Sequence, residues 1–161
     1  MPISVELQAG RLLHERGWKL ALAESCTGGL LGSRITDVPG SSEYFLGSIV
    51  AYAYEVKADL LGVSWDTLNT NGAVSRETVL EMARGVRSLM KADIAISVSG
   101  IAGPGGGTPD KPVGTTWIGL VTEAGEWAKL FQFPGEREKN KADAVEAALN
   151  LLLDYLQGKP I

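Results

Sequence analysis

Cysteine and histidine are nearly missing from this 161-residue chain, which contains only Cys26 and His14. A lone thiol makes no internal disulfide, so packing has to hold the fold, and a reducing cytoplasm is the expected location. A cysteine nucleophile needing an imidazole base has one histidine to draw on. That residue sits in "LLHERG" of an N-terminal helical stretch, where a surface position is the expectation. His, Cys, Asp and Glu nowhere group at metal-ligand spacing, so no metal site and no cofactor are expected. An excess of positive charge is absent as well. Lys and Arg number 15 against 19 Asp and Glu, a net charge of -4, with a sequence pI near 5.0. That balance speaks against nucleic acid or an anionic membrane surface as partners. The apolar runs stop far short of the roughly 18 residues that read as a transmembrane segment, and the opening "MPISVELQAG" lacks the pattern of a secretory leader. No internal repeat, low-complexity segment or linker divides the chain, so residues 1–161 are expected to form one soluble domain.

What the chain does have is an ordinary globular mixture, 45% hydrophobic and 21% charged. A domain of this length buries about 70% of the surface it exposes when unfolded. Val5, Leu7, Leu12 and Leu13 lie at helical spacing over 5–16, with Gly17 as the exit. "WKLALAE", residues 18–24, reads as a strand, and Thr27 can begin the next helix, along which Leu30, Leu31, Arg34 and Ile35 recur before Pro39-Gly40. "FLGSIVAY" at 45–52 is a second strand, "YEVKADLLG" a short helix closed at Gly62, and "VSWDTLNTNGAVS" a turn-rich connection. Ser75 then heads a helix, with "SRET" as its capping signal and Val79, Met82, Ala83, Val86 and Met90 as its buried stripe. "DIAISVSG" is a third strand, and "TTWIGLVT" with "EWAKLFQF" is a hairpin turning at Ala124-Gly125. Residues 136–156 make a last helix with Ala144, Val145, Ala148, Leu149 and Leu152 facing inward. The order specifies an α/β fold, a single three-layer α/β/α domain with a mixed, mostly parallel sheet of about five strands.

Three polar stretches carry chemistry. In "ALAESCTGGL", residues 21–30, an apolar strand runs directly into Ser25, where exposed amides at a helix start can hold an oxyanion and Gly28 and Gly29 admit a close approach. The same residues also suit a plain N-cap, and Cys26 is a competing nucleophile whose thiol a helix N-terminus would acidify. Glu24 is either a hydrogen-bonding support for this corner or a strand-end residue. In "YAYEVK", Tyr52 to Lys57, a lysine leaving a buried strand beside Ser25 would lose water and act as a base without histidine, with Tyr52 relaying or donating a proton. The alternative is a solvated Lys57 beside Glu55 and Asp59. The third stretch, "SGIAGPGGGTPDKPVG", suits a backbone-lined concavity for phosphate or ribose, or a flexible crossover, and matches neither a Walker A nor a dinucleotide fingerprint. Arg137, at the head of the last helix, is placed to meet a phosphate or to sit in solvent.

Together, "AESCTGG" at 23–29, "AYAYEVKADLLGV" at 51–63, "NGAVS" at 71–75, "SVSGIAGPGGGTPDKPVGT" at 97–115 and "FPGER" at 133–137 resemble the CinA C-terminal domain family over nearly the whole chain. That family includes the bacterial nicotinamide mononucleotide amidohydrolases. The resemblance implies hydrolysis of the nicotinamide carboxamide to nicotinate mononucleotide and ammonia, in pyridine nucleotide salvage. It implies Ser25 as nucleophile, Lys57 as general base and Tyr52 as an assisting hydroxyl. On the substrate side it implies Thr27, Gly28 and Gly29 around the oxyanion, with Gly100, Ile101, Ala102, Gly103 and Arg137 about the nucleotide. The expected partner is therefore a small-molecule nucleotide, and the apolar faces are compatible with a homo-oligomer. Related sequences often read Tyr-Ser-Asn-Glu-x-Lys; this chain has Tyr54 in place of that asparagine, which opens the substrate's identity to question. The larger N-terminal domain of full CinA proteins is not in this sequence, so the stand-alone form is the expectation. The competing reading is a noncatalytic nucleotide-binding or interaction module, or an amidase for another small carboxamide.

Overall fold

The computed structural model describes residues 2–161. In chain order the elements are α1 (Val5–Arg16), β1 (Leu20–Glu24), α2 (Leu30–Thr36), β2 (Phe45–Val50), α3 (Tyr54–Leu61), α4 (Trp65–Asn71), α5 (Arg76–Met90), β3 (Ile94–Gly100), β4 (Thr115–Thr122), β5 (Gly125–Gln132) and α6 (Arg137–Leu156). The strands make one sheet in the order β2-β1-β3-β4-β5. β1 pairs in parallel with both β2 and β3, whereas β3–β4 and β4–β5 are antiparallel, so only β4 runs against the rest.

Strand alternation sorts the central residues onto two different faces. Leu20, Leu22, Ile94, Ile96, Val98, Ile118 and Leu120 meet α1, α2 and α6 in one core cluster. The opposite face carries smaller side chains, Ala21, Ala23 and Ala95, under α5 and its neighbours α3 and α4. Small residues there let α5 lie close to the sheet: a Cβ on Gly119 would stand 2.8 Å from the Val79 carbonyl oxygen. The result is the three-layer arrangement that the element order specifies, with helices on both faces.

Local details differ from the expectation in several places, each for a visible reason. β1 begins at Leu20, not Trp18, because Trp18 and Lys19 are engaged as a connection: Trp18 donates to Leu13 and the Lys19 carbonyl receives the amides of Asp93 and Ile94. The turn-rich stretch contains helix α4, whose N-cap is Ser64 accepting from the Thr67 amide at 3.0 Å. The hairpin turn is Glu123-Ala124, since Thr122 already pairs with Gly125. Met90 ends α5 only half-buried, while Val79, Met82, Ala83 and Val86 are fully inside. The α5 cap itself is Ser75, accepting from the Thr78 amide at 3.1 Å.

This topology positions the site. From β1 the chain leaves through α2 on one face to reach β2, then returns through α3, α4 and α5 on the other face to β3 on the far side of β1. Connections that diverge in this way leave a crevice at the carboxyl end of the middle strand. Ser25 is the first residue beyond that end.

Candidate active site

The corner after β1 is held from inside by Glu24. Its side chain is 0% exposed, and its carboxylate accepts from the Thr27 hydroxyl at 2.7 Å, the amides of Gly29, Leu31 and Gly32 at 3.2, 2.8 and 3.0 Å, and the Ser48 hydroxyl at 2.6 Å. A buried carboxylate at a helix start is well placed, because the unpaired amides and the helix dipole both favour negative charge. Helix α2 therefore begins at Leu30, not at Thr27, and the intervening turn is closed by Gly28 donating to the Ser25 carbonyl at 3.1 Å. Gly28 and Gly29 take φ of 59° and 102°, left-handed conformations that a side chain would strain. With Gly28 and Gly29 so engaged, the amides left without an acceptor among the described residues are those of Cys26 and Thr27. Flanking strands fix the turn: Ser25 donates its amide to Val98 of β3 at 3.0 Å, and Ala51, just past β2, donates to the Glu24 carbonyl at 2.7 Å.

Lys57 reaches this corner from the second turn of α3. It is 0% exposed, and Ser25 is 7% exposed. The lysine Nζ lies 2.9 Å from Ser25 Oγ, 2.8 Å from the Ala51 carbonyl oxygen and 2.9 Å from the Tyr52 carbonyl oxygen. Among the described residues, no carboxylate is a partner of it. Burial without a compensating anion disfavours the ammonium and pushes the Lys57 pKa down to about 8. In the neutral amine, the two carbonyls occupy both N–H groups, which leaves the nitrogen lone pair for the Ser25 hydroxyl proton. Cys26 behaves oppositely to the expectation of an acidified thiol: desolvation raises it to about 11, so it stays protonated. His14 is on the surface, 2.7 Å from Glu43.

The glycine-rich loop and the head of α6 form the open side. A cavity of about 700 Å³ is lined by Ala102, Gly103, Pro104, Val113 and residues 135–139. Neither Ser25 nor Lys57 lines it. The link is Arg137, whose guanidinium donates to the Gly103 carbonyl at 2.7 Å and approaches the Tyr52 hydroxyl at 3.4 Å. Asn140, buried at 3% exposure, anchors this region by donating to the carbonyls of Ala102 and Gly135 and accepting from the Gly135 amide. Gly100 ends the central strand β3 and Ile101 follows it, with the Ile101 amide on the Thr115 carbonyl.

The profile of the CinA C-terminal domain matches residues 3–156. The chain belongs to that family. A protein of Halothermothrix orenii is 53% identical over 152 residues, covering 93% of this chain and 37% of its own length. A CinA-like protein of Thermotoga maritima is 48% identical over 149 residues, covering 92% and 36%. The chain thus spans little more than a third of those relatives. The crystal structure of competence damage-inducible protein A from Klebsiella pneumoniae superposes with a TM-score of 0.92 at 37% identity, covering 95% of each chain.

On this CinA-family scaffold, the structure brings Ser25, Thr27, Gly28, Gly29 and Lys57 into one corner and sets Ala102, Gly103 and Arg137 beside it. Tyr52 is different. Its side chain is 64% exposed and its hydroxyl is directed to Arg137, so what it gives the lysine is its backbone carbonyl. Tyr54 turns its hydroxyl to the Ala73 amide at 3.3 Å, tying α3 to the segment after α4. Sequence reasoning missed Asn140 and left Glu24 between two readings. Asn140 was unsignalled, being one amide in a charged helix start. Glu24 offered a signal, an acidic residue closing an otherwise apolar strand, but only the fold reveals five donors around it.

Proposed function

We propose that this CinA-family domain is an amidohydrolase that cleaves the carboxamide of nicotinamide mononucleotide through an acyl-enzyme on Ser25. The observation that carries the reading is the 2.9 Å approach of a fully buried lysine to a serine, with no carboxylate neutralising it. Neutral Lys57 takes the Ser25 hydroxyl proton as Oγ bonds to the carboxamide carbon, and the carbonyl oxygen becomes an oxyanion. The unengaged amides of Cys26 and Thr27 are the donors suited to it. Lys57 then returns the proton to the leaving nitrogen, the C–N bond breaks, and ammonia departs. Water repeats the sequence on the ester, losing its proton to Lys57 and releasing the carboxylic acid and Ser25. With the lysine near 8, roughly one molecule in ten holds the neutral base at pH 7.

The test is ammonia release on mixing the purified protein with nicotinamide mononucleotide, run in parallel with Ser25→Ala. Release by the native chain and its loss in the variant is the expected pair. Binding of the nucleotide without release would instead favour a noncatalytic module, and release from other carboxamides alone would change the substrate.

A further inference from the structure

Along α6, residues 137, 141, 144, 145 and 148 share one stripe by helical spacing. Over its later turns this stripe is apolar: Ala144, Val145 and Ala148 are buried in the core. Its first two positions are cations: Arg137 lies at the cavity, and Lys141 overhangs the corner after β1. The Lys141 Nζ lies 3.9 Å from the point a Cβ on Gly28 would occupy, three residues past Ser25. Lys141 is half-buried, and among the described residues it forms no ion pair and no hydrogen bond. The partners of Arg137 are both uncharged, the Gly103 carbonyl and the Tyr52 hydroxyl. Glu136 and Glu138 line the same cavity but ion-pair with neither cation, whereas the intervening Lys139 is matched by Asp143 at 2.5 Å. Two unneutralised cations on one helical face, one beside the serine turn and one at the cavity, are arranged for a multiply charged anion.

We infer that Lys141 acts with Arg137 as a clamp for the phosphate monoester of the substrate, making Lys141 a specificity-determining residue. The inference rests on the amidohydrolase reading and adds to it the reason a nucleotide is chosen over its nucleoside. A phosphate dianion matches the paired charge of a guanidinium fork and an ammonium; an uncharged ribose offers neither anything to neutralise. Held there, the ligand is anchored at one end while its carboxamide extends to Ser25.

The experiment compares kcat/KM for nicotinamide mononucleotide and nicotinamide riboside in the native protein, Lys141→Met, Lys141→Arg and Lys129→Met, the last removing the same charge from β5. Lys141→Met is expected to lower the nucleotide value about 10- to 100-fold, leave the riboside value within about twofold, and be restored by arginine, with Lys129→Met unchanged. An equal loss on both substrates, or no loss on either, overturns the clamp. Calorimetry with ribose 5-phosphate separates this from the parent reading. If the native protein releases no ammonia, at least tenfold weaker binding to Lys141→Met still supports the clamp, and unchanged binding overturns it.

Discussion

The corner at Ser25 and the rim at α6 are neighbours joined through Tyr52 and Arg137, yet they solve opposite electrostatic problems. At the corner, a lysine is sealed from water with only carbonyls and a hydroxyl as hydrogen-bond partners, and its ammonium is disfavoured, with the pKa brought down to about 8. At the rim, Arg137 lines the cavity and Lys141 lies beside the serine turn, and among the described residues neither pairs with a carboxylate. On the proposed reading the same residue type serves as a base in one place and an electrostatic anchor in the other, and solvent access makes the difference.

The sharpest way to break that comparison is at the corner. Ser25→Ala and Lys57→Met should each lower turnover at least about a thousandfold. Lys57→Met should at the same time keep or raise the melting temperature at pH 7, because it removes a cation buried without an anion. A melting temperature that falls by several degrees in Lys57→Met would mean the lysine is a structural donor. Glu24→Gln comes next: turning one of the acceptor oxygens into a donor strands buried amides, and denaturant titration should show a loss of about 3 kcal/mol together with reduced turnover.

At the rim, Asn140→Ala removes a buried amide and should cost about 2 kcal/mol, raising KM more than it lowers kcat, as steady-state kinetics would reveal. The pH profile separates the two lysine environments. Turnover at saturating substrate should climb roughly tenfold from pH 7 towards a plateau above pH 9, following deprotonation of Lys57. Stability responds in the same direction: between about 8, its folded value, and about 10.4, its unfolded value, the unfolded chain binds more protons, so stability rises with pH across that window. Below pH 8 both states hold the proton and the full penalty of the buried cation remains. Cys26→Ala should be the mildest change, within about twofold in turnover and about 1 kcal/mol in stability, because its thiol is protonated and merely packs.

Much of the scaffold was legible beforehand. The short apolar stretches "LALAE" and "IAISVSG" mark two central strands buried on both faces, and the helical stripes of α5 and α6 mark their covering layers, because a helix packed on a sheet buries one stripe. α4 was hidden because Asn, Thr and Asp have weak helical preference, and its evidence is one Ser64–Thr67 cap. Candidate residues could be singled out by type at Ser25, Lys57 and Arg137. The direction of Tyr52, the donors around Glu24 and the state of Cys26 could not, since each depends on neighbours distant in the chain.

The sequence by itself determined the family, the layered α/β architecture and the residue types available for chemistry, since these follow from local periodicity and ordered motifs. Only tertiary structure decided that Lys57 is sealed from water while Lys141 stays half-exposed. Solvation is set by everything that surrounds a side chain, and the walls around Lys57 come from β1, the end of β2 and α3, segments that the chain order keeps more than thirty residues apart at Ser25 and Lys57.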